Sequence, residues 1–151
     1  MKFSALVASL ALSSPISAAL TWSLQKVSNP TADQQDAYTR IEKAMTLAVA
    51  RYHRLCDNTC TKTIRVAYAT GVPTAEASYN GDLRFGKDRA YMTERTAMHE
   101  IAHTLGVGQT AAFDRKCKAG DWQTALPLLR SWDGQSAKIN CGGGHFCEPF
   151  L

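Results

Sequence analysis

The chain has 151 residues, 45 % hydrophobic and 9 % aromatic, with 17 Lys and Arg against 13 Asp and Glu, a formal net charge of +4. That length suits one domain with a single core. The basic excess is too small and too dispersed to suggest a nucleic-acid surface, and no run is long enough to span a membrane.

Met1-Lys2, the apolar run Ala5 to Leu12, Ser13-Ser14-Pro15 and the small residues Ser17-Ala18-Ala19 read as a secretory signal peptide over 1–19, cleaved near Ala18 or Ala19. The remainder, 20–151, is expected to be one secreted domain and a monomer. The span from Leu20 to Asn29 is too short for an obvious propeptide, and Asn29-Pro30-Thr31 is disqualified as a glycosylation acceptor by its proline.

Thr31-Ala32-Asp33-Gln34 has the form of a capping box. Ala37, Ile41, Ala44, Met45, Ala48, Tyr52 and Leu55 then recur at three- and four-residue intervals, which predicts a long amphipathic helix. His53 sits beside that stripe between Arg51 and Arg54, with no second ligand type nearby, and reads as a solvated histidine.

All five cysteines, Cys56, Cys60, Cys117, Cys141 and Cys147, fall after the signal segment. Secretion favours disulfides, and the spacings lack the paired short form of a cysteine zinc site. The expectation is a local Cys56–Cys60 bridge and one further bridge among the three later cysteines.

Thr63 to Ala69 is β-branched and alternating, as a strand is. Gly71-Val72-Pro73 interrupts it. Ala77-Ser78-Tyr79 and Asp82-Leu83-Arg84-Phe85 flank Asn80-Gly81, a strong hairpin signal. One strand of that hairpin could lie at a sheet edge, open to pairing with an extended peptide.

Thr93 is the expected N-cap of the next helix, with Glu94 in its first turn and Ala97, Ile101 and Leu105 as its apolar stripe. On this helix His99-Glu100-Ile101-Ala102-His103 spells HExxH. The four-residue spacing sets two imidazoles one turn apart on one face, where they can share a divalent ion, and Zn²⁺ suits such nitrogens. Glu100 lies about 100° further round the helix, placed to act as general base on a metal-activated water rather than as a ligand. Random placement of this chain's His and Glu would produce the pattern with a probability of roughly 0.3 %, so coincidence is a poor account of it. Gly106 should end the helix in the left-handed conformation and let the chain turn back toward a third ligand.

Beyond Gly108, Phe113, Trp122, Leu126, Leu128, Leu129 and Trp132 suggest a second apolar cluster. Pro127 should limit any helix to a short piece on either side of it. Asp133-Gly134 marks a turn, and Gly142-Gly143-Gly144 a bend before His145-Phe146.

Val66-Ala67-Tyr68, Gly71-Val72-Pro73-Thr74-Ala75, Tyr79-Asn80-Gly81, Arg84-Phe85-Gly86 and the run Thr96 to Gly108 together resemble a group of secreted bacterial and fungal zincin-like proteins, some linked to ricin-type or other carbohydrate-binding modules. Asp133-Gly134 and His145-Phe146 fit the same group. The resemblance implies an α+β zincin-like fold: a small mixed sheet, a long N-terminal helix, the HExxH helix and a loop-rich, disulfide-bonded C-terminal part. It is not that of a true metzincin, because position 109 is Gln109 and no methionine follows Met98.

Of the four histidines, His145 is left as third ligand beside His99 and His103, and the resemblance also selects it. Glu148 and Asp114 are the carboxylate alternatives; a His145 merely fixed by a Cys141–Cys147 bridge is the structural one. Asp114 or Asp133 could orient a ligand imidazole. Three protein ligands on Zn²⁺ would leave one position for water, so the expected function is a secreted zinc metallopeptidase hydrolysing peptide bonds. The alternatives are a metal-dependent protein acting on cell-wall or plant polysaccharide, with Trp122, Trp132 or Phe146 as platforms, and a non-catalytic secreted effector or binding protein.

Overall fold

The computed structural model describes residues 20–56, 60–143 and 145–147, the side chains of 146 and 147 excepted. The expected signal segment 1–19 and Glu148 lie outside the described residues.

The fold is a small α+β arrangement. Its four-stranded mixed sheet runs in the order β1-β2-β4-β3, with β1 Leu20–Gln25, β2 Lys62–Tyr68, β3 Ala75–Ala77 and β4 Asp82–Phe85. β1 is parallel to β2 from Leu20↔Lys62 to Gln25↔Ala67, β2 is parallel to β4, and β3 is antiparallel to β4. β1 was not anticipated, although Leu20, Trp22 and Leu24 alternate with Thr21, Ser23 and Gln25 and turn inward while the polar set stays exposed.

Helix α1, Ala32–Leu55, crosses from β1 to β2. Both arms of its capping box form: the Thr31 hydroxyl accepts from the Gln34 amide at 3.2 Å, and the Thr31 amide donates to Gln34 Oε1 at 2.9 Å. Its buried stripe is Ala37, Tyr38, Ile41, Ala44, Met45, Ala48 and Val49. Leu55, expected in that stripe, is 71 % exposed, because the last turn runs out to the Cys56–Cys60 bridge beyond the core.

The stripe packs on Leu20, Ile64, Val66, Leu83 and Phe85 from one face of the sheet and on Ala97 and Ile101 from helix α2, Glu94–Thr104. Burying each of the larger aliphatic and aromatic side chains contributes about 1.5–3 kcal/mol, and this shared core fixes α2 against the strands. The opposite sheet face is polar, with Arg65 paired to Asp82 at 2.7 Å and Arg84 paired to Glu76.

The Asn80-Gly81 turn closes the β3–β4 hairpin as expected, with Gly81 at φ 98° where an added Cβ would lie 2.6 Å from the Thr63 carbonyl oxygen. β3 is an edge of the sheet, beside α2.

The expected loop-rich C-terminal part is more regular than that. It holds α3 Ala111–Ala119, α4 Ala125–Asp133 and a two-stranded hairpin of β5 Asn140–Gly142 and β6 His145–Cys147. Pro127 does not divide α4, for it is the third residue of that helix, where the amide has no intrahelical partner to lose. The apolar cluster expected there is split. Phe113 is buried and its ring lies 5.9 Å from that of Trp122, whereas Leu128 is half exposed and Trp132 is 73 % exposed.

Two disulfides form, Cys56–Cys60 and Cys117–Cys141, with Cα separations of 5.8 and 5.7 Å. Cys141 is therefore not bridged to Cys147. No helix among the described residues is long and apolar enough to cross a membrane.

Candidate metal centre

Helix α2 is held at several points before its histidines are reached. Thr93 caps it, its hydroxyl accepting from the Thr96 amide at 3.2 Å, and Arg51 of α1 donates to Glu94 Oε1 at 2.7 Å. The Tyr52 hydroxyl donates to the Met98 carbonyl at 3.0 Å, immediately before His99, and burial pushes that phenol up to about 12.

The helix ends as its glycine requires. Gly106 sits at φ 113°, its amide donates to His103 O at 3.0 Å, and the Val107 amide donates to Ala102 O at 3.0 Å. These are the two hydrogen bonds of a Schellman motif. The turn carries the Val107 carbonyl back beneath the helix, where it lies 2.8 Å from His103 Nδ1. A carbonyl can only accept, so Nδ1 carries a proton, and in the neutral ring His103 Nε2 presents a bare lone pair.

His145 is set the same way by a different element. Its Nδ1 lies 2.8 Å from the Gly143 carbonyl, so in the neutral ring its Nε2 is also bare. Yet His103 Nε2 lies 3.2 Å from His145 Nε2 and 3.1 Å from His99 Nε2. With both rings neutral, neither nitrogen has a proton to share, and two lone pairs face each other. A cation resolves that repulsion. A tetrahedral Zn²⁺ about 2.0–2.1 Å from each nitrogen would set pairs of them about 3.4 Å apart, close to the distances found. His99, His103 and His145 thus form a group that could hold a metal ion, with ligand atoms all within 4.8 Å of one another.

The surroundings of His99 favour its neutral form. Partial burial holds His99 below its ordinary pKa, assisted by the positive charge that His103, His145 and Arg95 would present. A neutral ring is what a metal requires.

Glu100 stands apart from this group, 6 % exposed on the neighbouring face of α2. Burial pushes its carboxyl up to about 7, with a smaller contribution from Glu76. Glu100 and the three histidines line one cleft of about 870 Å³, whose lining also includes 74–77 at the β3 edge and Tyr91 of a 3₁₀ turn over Arg89–Tyr91.

The other candidates fall elsewhere. Asp114 and Asp133 are exposed and neither joins the group; the His103 and His145 imidazoles are oriented by the Val107 and Gly143 carbonyls rather than by carboxylates. Gln109 lines the cleft without being a ligand type. His53 is not simply solvated, since its Nε2 lies 3.0 Å from the Leu20 carbonyl and fastens the start of β1. The sequence reading missed these carbonyls, although Gly106 as the helix stop was enough to place Val107 beneath the last turn. It also missed Tyr52, whose position in the α1 stripe carried no sign of its hydrogen bond.

Comparison of the chain with protein families, with curated proteins and with solved structures finds no match in any of the three.

Proposed function

We propose that this chain is a secreted zinc-dependent metallopeptidase with a zincin-like fold, in keeping with the resemblance carried by its HExxH helix and by Tyr79-Asn80-Gly81 and Arg84-Phe85-Gly86. The observation that carries the reading is the convergence of three imidazoles, two of them with protons drawn away by backbone carbonyls, on one point beside a buried carboxyl. Nitrogen-only ligation of this number suits Zn²⁺ and leaves a coordination position for water.

When bound, the ion supplies Lewis acidity toward a substrate carbonyl and acidifies water. The chain's own groups do the rest. Glu100 takes a proton from water in the cleft at its carboxylate and returns it to the leaving nitrogen; burial tunes that group toward neutral pH. The free edge of β3 offers backbone donors and acceptors along Ala75–Ala77, so an extended peptide can add as a further strand and lie across the site. The Val107 and Gly143 carbonyls keep the His103 and His145 imidazoles in one orientation throughout.

Action on polysaccharide has less behind it. Trp122 packs on Phe113 and does not line the cleft, Trp132 is exposed on α4 away from it, and Phe146 has no described side chain. Tyr91, 43 % exposed, is the aromatic at the cleft that such a reading would use.

Elemental analysis of the purified protein, with a peptide-library digest run with and without chelator, tests the proposal. One zinc per chain and chelator-sensitive cleavage are expected. Stoichiometric zinc without any cleavage would replace the peptidase by a binding protein, and absence of zinc would remove the metal site.

A further inference from the structure

The three ligands are not delivered by equally firm parts of the molecule. His99 and His103 ride on α2, which the core and α1 immobilise. His145 is exposed and comes from the β5–β6 hairpin, whose strands pair with each other and with no other strand among the described residues. Along the chain it lies 42 residues beyond His103. The intervening path runs through α4, which starts without a side-chain cap and leaves Leu128 and Trp132 in solvent.

A shorter covalent path exists. The Thr110 hydroxyl donates to the Gly106 carbonyl at 3.1 Å and accepts from the Phe113 amide at 3.3 Å, so the start of α3 is fastened to the turn that orients His103. Phe113 is buried, and Cys117 follows it by one helical turn. Cys117 is bridged to Cys141, the middle residue of β5, and the next residue, Gly142, is the strand partner of His145. Through the bridge, fourteen residues separate His103 from Cys117 and four separate Cys141 from His145.

Resting on the metal site proposed above, we infer that the Cys117–Cys141 disulfide is the positioning element for the third ligand, so that metal affinity depends on this crosslink and not on Cys56–Cys60. Its ends touch neither the ion nor a substrate; it acts through His145. Loop-closure statistics applied to the two path lengths give about a threefold effect from chain entropy alone. Ordering a hairpin with no other strand partner adds to this, and we expect roughly tenfold weaker binding without the bridge.

The test measures Zn²⁺ affinity by chelator competition and the visible spectrum of the Co²⁺ form. The Cys117→Ser/Cys141→Ser protein is compared with the Cys56→Ser/Cys60→Ser protein, each with His145 intact and with His145→Ala. The expected result for the first pair is roughly tenfold weaker Zn²⁺ binding, short of the His145→Ala loss, with a Co²⁺ spectrum at saturation that keeps the wild-type form and not that of His145→Ala; the second pair should give wild-type values. In the His145→Ala background, removing Cys117–Cys141 should change nothing more. Affinity within twofold of wild type, or an equal loss in the His145→Ala background, overturns the inference while leaving the metal site standing. A wild-type protein that takes up neither ion overturns both. Should the serine pair fail to fold, three glycines inserted between Cys141 and Gly142 lengthen the tether with the bridge intact. Affinity must then fall toward the His145→Ala value, and unchanged affinity refutes the inference.

Discussion

Replacing Glu100 by Gln separates its two roles, as proton carrier and as a buried acid. In the metal-free protein its carboxyl ionises near 7, raised from 4.5 chiefly by burial. An unfolded chain gives up that proton near 4.5, so above about pH 7 the folded state holds an anion that the unfolded state solvates better. A shift of this size is worth about 3 kcal/mol at most. The carboxyl opens on a cleft that admits water, which screens it, and we take about half, ~1.5 kcal/mol. The sign follows: Glu100 lowers the stability of the metal-free protein above pH 7, and the penalty fades as pH falls from 7 to 4.5.

Glu100→Gln removes the charge and keeps the shape. The metal-free variant should therefore exceed wild type by about 1.5 kcal/mol at pH 8, and the difference should vanish toward pH 4.5. His99, whose pKa is lowered, titrates in both proteins and cancels in the difference. Urea unfolding of both proteins at four or five pH values between 4.5 and 8, with chelator present, measures it. With zinc restored, the variant should keep its metal and lose about 10²- to 10⁴-fold in peptide turnover. A stability difference that does not change with pH would refute the burial argument. Full turnover in Glu100→Gln would refute the proton-carrier role.

His99→Ala and His103→Ala should each abolish stoichiometric zinc. His103→Ala should also lower metal-free stability the more of the two, because His103 is buried and bonded to Val107 while His99 is exposed; elemental analysis and urea unfolding check both points. Arg89 joins the 3₁₀ turn to α1 and β2, donating to Asp33 Oδ1 at 2.6 Å, Asp36 Oδ2 at 2.9 Å and the Tyr68 hydroxyl at 3.1 Å. Arg89→Ala should cost about 2 kcal/mol in unfolding free energy and raise KM with a smaller change in kcat, because the 3₁₀ turn that carries Tyr91, one of the cleft's lining residues, loses its tie to α1 and β2. Gly106→Ala places a Cβ 3.1 Å from Thr110 Cγ2 at φ 113°. It should cost about 1–2 kcal/mol and weaken zinc binding through the displaced Val107 carbonyl, measurable by unfolding and chelator competition.

The parts of this molecule that could be read in advance are those whose cause lies within one or two helical turns. Thr31 and Gln34 cap α1 by contacts three residues apart, Asn80-Gly81 closes a hairpin locally, and His99 and His103, two of the three histidines that could hold a metal ion, lie one turn apart on α2 just before the Gly106 stop. β1 escaped because a strand of six residues has meaning only through its partner, and that partner, Lys62–Ala67, begins 42 positions away. α3 and α4 escaped because the cues were weighed singly. Thr110 and Gly120 bracket α3 as cap and left-handed stop, and Pro127 breaks a helix only where its amide would have been needed.

The errors at the site itself share one cause. Residue type points to Asp114 or Asp133 as an orienting group, whereas the groups that orient His103 and His145 are backbone carbonyls, which every residue has and no composition reveals. Their placement follows from conformation alone: Gly106 at positive φ sets Val107 beneath the helix, and the β5–β6 bend sets Gly143 two residues before His145. A local motif can therefore specify which atoms would bind an ion while leaving open whether they face it with lone pairs or with protons. Here the two glycine-bearing turns fix which ring nitrogen donates to the backbone, and so set Nε2 of His103 and Nε2 of His145 toward each other at 3.2 Å, where neutral rings could share a cation.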